Sequence, residues 1–220
     1  MMKQNHSLSD AAVVDRSKTV FINLEANQEA SAVMAEFGYG ADELLVGKAL
    51  QAEAQKCLDN NKKETDESRS AYQAFAEKQA VVDKRYRMQR KKAKVVFRNN
   101  PLMMQKLGVD GTVPANYIDW LDKVRVYCMA VAGSEEIQEA LKRLKVTIEE
   151  ISETQADIQE LDMLRATYIR EKGESQQATQ VKDKALSDLD KWMRDFFAVA
   201  RIAFDDQPQM LEIFGVVVKS

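Results

Sequence analysis

The densest run of chemically capable side chains lies between Lys84 and Arg98. Lys84, Arg87, Lys91, Lys94 and Arg98 follow the 3-4-3-4 spacing of one helical face. Val82, Tyr86, Ala93 and Phe97 fall on roughly the opposite face, so the cations are expected to point outward from a helix that buries its other side. Such a row can neutralise a series of anions on a polyanion or on an acidic protein surface, and Arg85, Arg90 and Lys92 widen it. Against a nucleic-acid role, the chain as a whole carries a net charge of −3 and contains no recognised nucleic-acid module. Three stripe positions also recur as Lys191, Arg194 and Arg201 in its more acidic second half. A solvated or salt-bridged face is the more ordinary reading of such a run.

The second group able to hold a partner is aromatic: Tyr117, Trp120, Trp192, Phe196 and Phe197. Either these residues enlarge a core or they present an aromatic edge that receives another protein. Catalytic chemistry is poorly supplied. His6 is the only histidine and lies at the start of the chain, so histidine base catalysis, zinc clusters and Glu-x-x-His di-iron sites are not expected. Cys57 and Cys128 read as reduced, packed thiols, and Glu149, Glu150 and Glu153 read as first-turn acids that complement a helix dipole. There is no glycine-rich phosphate loop or nucleophile elbow. The expectation is a protein without catalytic residues, cofactor or metal.

The elements that carry these residues follow from composition and from an internal repeat. The chain has 220 residues, 45% hydrophobic and 30% charged, with only three prolines and eight glycines, which points to an all-α protein. No apolar run approaches a membrane span and the first residues do not form a secretory signal, so a cytoplasmic protein is expected. Residues 83–109 set against 190–216, an offset of 107, match at nine of 27 positions without a gap. Helix-start signals fall on the same offset: Ser7 on Pro114, Asn27 on Ser134, and Gly40 on Thr147. Thr147 with Glu150 makes a capping box, and Val146 with Ile151 a hydrophobic staple.

The predicted architecture is therefore a tandem-duplicated helical bundle, with repeats 1–109 and 110–220 packed together. Each repeat has four helices, near 8–24, 28–36, 41–62 and 66–98, and again near 115–131, 135–143, 148–171 and 174–205. Tight reversals are expected at 62–66 and at Lys172-Gly173, because a helix of nearly sixty residues is rare in a compact domain. A short proline-initiated helix closes each repeat and ends at Gly108 or Gly215. The loop 110–113 joins the repeats.

The stretch Asp190-Lys191-Trp192-Met193-Arg194-Asp195-Phe196-Phe197, with Ala200-Arg201-Ile202-Ala203 and Gln207-Pro208-Gln209-Met210-Leu211-Glu212, resembles the ends of uncharacterised all-helical proteins of Bacteroidetes. That resemblance covers about 30 residues and implies no activity. Residues 1–109 carry 18 Lys+Arg against 14 Asp+Glu, and 110–220 carry 14 against 21, so the halves have opposite charge. The leading expectation is a non-catalytic helical interaction or scaffold module that contacts another protein or its own copy. Polyanion binding through 84–98 is the alternative, and a small-ligand or enzymatic site in a cleft between the repeats is the third.

Overall fold

The computed structural model describes residues 9–216 and is all-helical, with no strand among those residues. Its helices are α1 (Asp10–Ala26), α2 (Gln28–Glu36), α3 (Ala41–Val96), α4 (Pro101–Lys106), α5 (Tyr117–Ala132), α6 (Glu135–Lys142) and α7 (Ile148–Ala203), followed by a 3₁₀ segment, Pro208–Phe214. No described helix is long and apolar enough to cross a membrane.

The helix starts follow local cap chemistry. Asn27 accepts from the Ala30 N–H at 2.9 Å, Ser134 from Ile137 at 3.5 Å, and Thr147 Oγ1 from Glu150 at 3.3 Å. These are three of the expected caps. Gly40 also stands where expected, directly before the first residue of α3, with its carbonyl accepting from the Leu44 N–H at 3.0 Å. The remaining two differ. Ser9 caps α1 by accepting from Ala12, while Ser7 lies outside the described residues; Asn116 caps α5, so Pro114 is not its first residue. The closing segments end as expected, with Gly108 at φ +63° and Gly215 at φ +73°, a left-handed conformation that glycine adopts without a Cβ clash. Asn100 caps α4 through the Met103 N–H at 3.1 Å, whereas the longer Gln207 makes no side-chain cap and its segment forms 3₁₀ turns.

The expected reversals at 62–66 and at Lys172-Gly173 do not occur. α3 and α7 are each unbroken over 56 residues. Gly173 is not among the glycines with positive φ, so it sits in the helix as an ordinary helical residue. The reason is that each half of each long helix has its own core to enter. α3 buries Ala54, Cys57 and Leu58 early and Phe75, Val82, Tyr86 and Ala93 later. A sequence window that sees one helix cannot show that its two halves are stabilised by different neighbours.

The chain divides into two compact units that cut across the expected boundaries 1–109 and 110–220. The middle unit is Ser68–Glu171; the terminal unit joins Met1–Glu67 to Lys172–Ser220. In the middle unit, the later half of α3 and the first half of α7 enclose Trp120, Leu121, Val124 and Tyr127 of α5 and Ile137 and Leu141 of α6. In the terminal unit, α1 and α2 supply Val14, Val20, Phe21, Leu24 and Met34 to a core completed by Leu189, Trp192, Phe196 and Ala200 of α7 and Phe214 of the closing segment.

Candidate interaction surface

The basic run occupies the α3 segment of the middle unit. Val82, Tyr86, Gln89 and Ala93 form its buried edge and are at most 2% exposed. On the outward edge, positions 81, 84, 88, 91, 95 and 98 repeat at 3-4-3-4-3 spacing and read Val, Lys, Met, Lys, Val, Arg. All six are exposed, the three apolar ones strongly so: Val81 at 50%, Met88 at 55% and Val95 at 61%. From Lys84 to Arg98 the chain has eight cations and no acid. The middle unit as a whole holds 18 Lys+Arg and 15 Asp+Glu, while the rest of the chain holds 14 and 20, so the positive charge is concentrated here.

The cations are used in different ways. Lys84, Lys91 and Arg98 have no ion-pair or hydrogen-bond partner among the described residues. Arg87 pairs with Asp83 at 2.6 Å, and Asp83 also accepts from Trp120 Nε1 at 2.8 Å. Arg85 is drawn to α7, donating to Asp157 at 2.7 Å and lying 3.8 Å from Glu153. Arg90 and Lys94 donate to the Gly111 carbonyl at 2.6 and 3.3 Å, and Lys92 donates to the Lys145 carbonyl at 3.2 Å. Those last three tie down the neighbouring loops through neutral acceptors, so no carboxylate cancels their charge. Of the five predicted basic residues, Lys84, Arg87, Lys91 and Arg98 thus share an exposed face, and Lys94 is turned half-buried onto the loop after α4.

Two depressions flank Met88 on this face. The larger, about 430 Å³, is lined by Val81, Met88, Gln89, Lys84, Arg85 and Lys92, with Glu150 from the first turn of α7 at its edge. The second, about 390 Å³, lies between Arg87, Lys91 and Val113, and shares Lys84 and Met88 with the first. Both are predominantly apolar with cations around them. Sequence periodicity did not single out Gln89. The one signal that could have was its alignment, 107 residues earlier, with Phe196.

The five aromatic candidates do not form one groove. Trp192, Phe196 and Phe197 belong to the core of the terminal unit and are 7%, 0% and 8% exposed. Trp192 stacks on Phe196 at 5.5 Å and donates its indole N–H to Glu43 at 2.7 Å. Trp120 and Tyr117 belong to the middle unit, where Trp120 is buried and Tyr117, half-buried, meets Phe75 at 5.3 Å and carries the Arg165 guanidinium over its ring at 4.9 Å. Each tryptophan is fixed by an acid on α3, which makes these rings structural anchors and accounts for the second sequence half being the more aromatic one.

The remaining candidates are structural in their surroundings. The Cys128 thiol is pushed up to about 12, chiefly by burial, which suppresses the thiolate at neutral pH. Glu149 is held below its usual range by the free backbone N–H at the start of α7 and by the Thr147 hydroxyl, as the dipole reading requires. No protein-family model matches this chain, and no curated protein or solved structure matches it.

Proposed function

We propose that this chain is a non-catalytic helical interaction module and that it holds a partner protein on the 81–98 face of α3. The observation that carries this reading is the alternation of exposed apolar and basic residues, Val81, Lys84, Met88, Lys91 and Val95, on one edge of a helix whose other edge is buried, continued by the exposed Arg98 in the turn that follows it. A heptad-like seam of this kind fits a second helix: the apolar positions supply area to bury, and the unpaired cations favour acidic flanking residues.

Polyanion binding is the second reading, favoured by eight cations without an intervening acid. Phosphate contacts need charge alone, so that reading leaves Val81, Met88 and Val95 without a purpose. The internal organisation supports a module built by duplication. α3 and α7 have the same length and start at residues 41 and 148; the closing segments start at 101 and 208. Both pairs are separated by the 107 residues of the sequence repeat. On this reading the two copies exchange halves of their long helices, since the middle unit contains α5, α6 and early α7 from one copy and late α3 with α4 from the other.

The test places a photo-crosslinking amino acid at Met88 and, as a control, at the exposed Ser187. Crosslinking of a defined protein from 88, absent from 187 and lost in Lys84→Glu/Lys91→Glu, is the expected result. Equal crosslinking from both positions refutes the assignment of this face. Heparin retention that survives Met88→Asp but disappears on charge reversal transfers the face to the polyanion reading.

A further inference from the structure

The exposed row on α3 has a counterpart on the helix beside it. In α7, positions 149, 153, 156, 160 and 163 repeat at 4-3-4-3 spacing and read Glu, Glu, Ala, Glu, Met. All five are exposed, Met163 at 65%. This row lies opposite the buried edge formed by Ile151, Thr154, Ile158 and Leu161, as the α3 row lies opposite Val82, Tyr86 and Ala93. Lys78 pairs with Glu160 at 2.5 Å and Arg85 with Asp157 at 2.7 Å, so within the middle unit the two helices run side by side and antiparallel. One face of this unit therefore carries a basic, apolar row and, next to it, an acidic, apolar row. Gln89 floors the larger depression, but it is 2% exposed and its unpartnered amide lies out of a docked protein's reach. What a partner can touch is the two rows.

The rows complement each other when one is read backwards. From Val81 the α3 row steps 3-4-3-4 up to Val95, and from Met163 the α7 row steps 3-4-3-4 down to Glu149. Laid antiparallel, Val81 meets Met163 and Met88 meets Ala156. Lys84 meets Glu160, and Lys91 meets Glu153. Glu149 falls beside Val95, one turn from Arg98. Glu160 and Glu153 lie near Lys78 and Arg85 but keep 52% and 67% of their side chains exposed, and a carboxylate accepts several donors. Within one chain both rows face outward, so these pairs are not made. A second copy turned about a two-fold axis parallel to the helices brings its α7 over α3 and its α3 over α7, both antiparallel, and makes every pair twice. The cross pairs are offset by about one turn from the level set by Lys78 with Glu160 and Arg85 with Asp157, in the direction in which side chains lean toward their own N-termini. Two helix widths of about 10 Å over a length of about 25 Å give roughly 500 Å² of projected face per copy, or about 1,000 Å² for the pair, the lower end of specific interfaces.

We infer that the partner of this face is a second copy of the chain, held in a closed two-fold dimer by the basic row of α3 on the acidic row of α7. This rests on the interaction reading above and names the partner. An interface of this size, partly ionic, gives a weak dimer with a dissociation constant of about 1–100 µM, loosened further by salt. Because each copy offers both rows to the other, growth stops at two, whereas the same contact made on one side only would build a filament.

The test is sedimentation velocity of the full-length chain from about 1 to 500 µM at low salt, which should show a monomer passing to a dimer. Lys84→Glu/Lys91→Glu and Glu153→Lys/Glu160→Lys should each weaken the dimer about tenfold or more, since each turns its cross pairs into like-charge contacts, counted twice by symmetry. Mixing the two variants in equal amounts should restore association, because the mixed dimer again sets acids against bases along both seams. Loss of fold cannot imitate that rescue. Glu160→Lys also removes the Lys78 pair, so Met88→Asp and Met163→Asp, at positions already exposed, give a second route: each should weaken the dimer by a similar factor with an unchanged unfolding midpoint. If the chain stays monomeric throughout while position 88 still crosslinks another protein, the second copy is refuted and the interaction face stands. A dimer indifferent to Met88→Asp and to both charge reversals, or folded variants that lose it without rescue on mixing, refutes the pairing of these rows, and growth beyond two copies refutes its closure. A monomer whose position 88 crosslinks nothing refutes both readings.

Discussion

Two helical glycines offer a quantitative test of how α3 and α7 are built. Gly47 lies in α3 and Gly173 in α7, both inside regular helix, where glycine costs about 0.8–1.0 kcal/mol relative to alanine. Propensity alone gives both Gly→Ala changes the same stabilisation. Their surroundings separate them. A Cβ on Gly173 meets nothing within 4 Å, whereas a Cβ on Gly47 would lie 2.5, 2.6 and 2.8 Å from Cζ2, Cη2 and Cε2 of Trp192. The indole has little room to retreat, because it donates to Glu43, stacks on Phe196 and meets Phe21 at 5.4 Å and the Tyr39 ring at 5.5 Å. Overpacking of this kind costs about 1–3 kcal/mol. Set against the propensity gain, Gly47→Ala should destabilise by up to about 2 kcal/mol while Gly173→Ala stabilises by about 1 kcal/mol. For a chain of this size each kcal/mol moves the midpoint by roughly 2–4 °C. Thermal unfolding followed by circular dichroism should therefore show midpoints moving in opposite directions, with Trp192 fluorescence altered only in Gly47→Ala. Adding Trp192→Phe to Gly47→Ala should recover part of the loss relative to Trp192→Phe alone. A Gly47→Ala midpoint that rises as far as that of Gly173→Ala would show that the indole is not seated against α3. A fall in Gly173→Ala would show that the chain reverses there after all.

Four further outcomes follow. Gln89→Met should raise stability by about 1–3 kcal/mol in urea unfolding, because it removes two orphaned polar atoms at nearly constant volume; a loss would mean that the amide is satisfied. Gln207→Asn should gain about 1 kcal/mol by supplying the cap that Asn100 gives α4, with no gain expected if the 3₁₀ geometry keeps the new side chain from its N–H. Lys78 hydrogen-bonds Asp157 at 2.8 Å and also pairs with Glu160, and these partners raise its pKa. Its contribution is therefore complete at neutral pH and lost only as pH climbs through the folded value, so the stability gap between the native chain and Lys78→Met should be flat from about pH 6 to 9 and close above about 10.4. In Cys57→Ser the remaining Cys128 thiol should resist a disulfide reagent at pH 8 until denaturant is added, and rapid labelling of the folded chain would contradict its burial.

Much of the local structure was legible because caps and glycine stops act over three or four residues. Asn27, Ser134 and Thr147 each meet an N–H within their own first turn, and Gly108 and Gly215 end their segments in a backbone conformation that few other residues tolerate. The buried edge of Val82, Tyr86 and Ala93 was legible for the same reason, since a helical period needs only the helix itself. The basic face was legible as a face. Which of its cations remain unpaired was not, because Arg85 finds Asp157 from a distant stretch of chain while Lys84 finds no acid. Gln89 looked like an unremarkable polar position until its depth was known.

The sequence by itself determined an all-helical chain, most helix starts, both glycine stops and the outward set of the basic residues, all consequences of interactions between residues close along the backbone. Only the tertiary structure decided that α3 and α7 run unbroken through 62–66 and 172–173, that Trp120 and Trp192 are anchors within two cores, and that Gln89 lies buried with its amide unspent. Each of those depends on what lies across the core, and burial is a property that only distant neighbours confer.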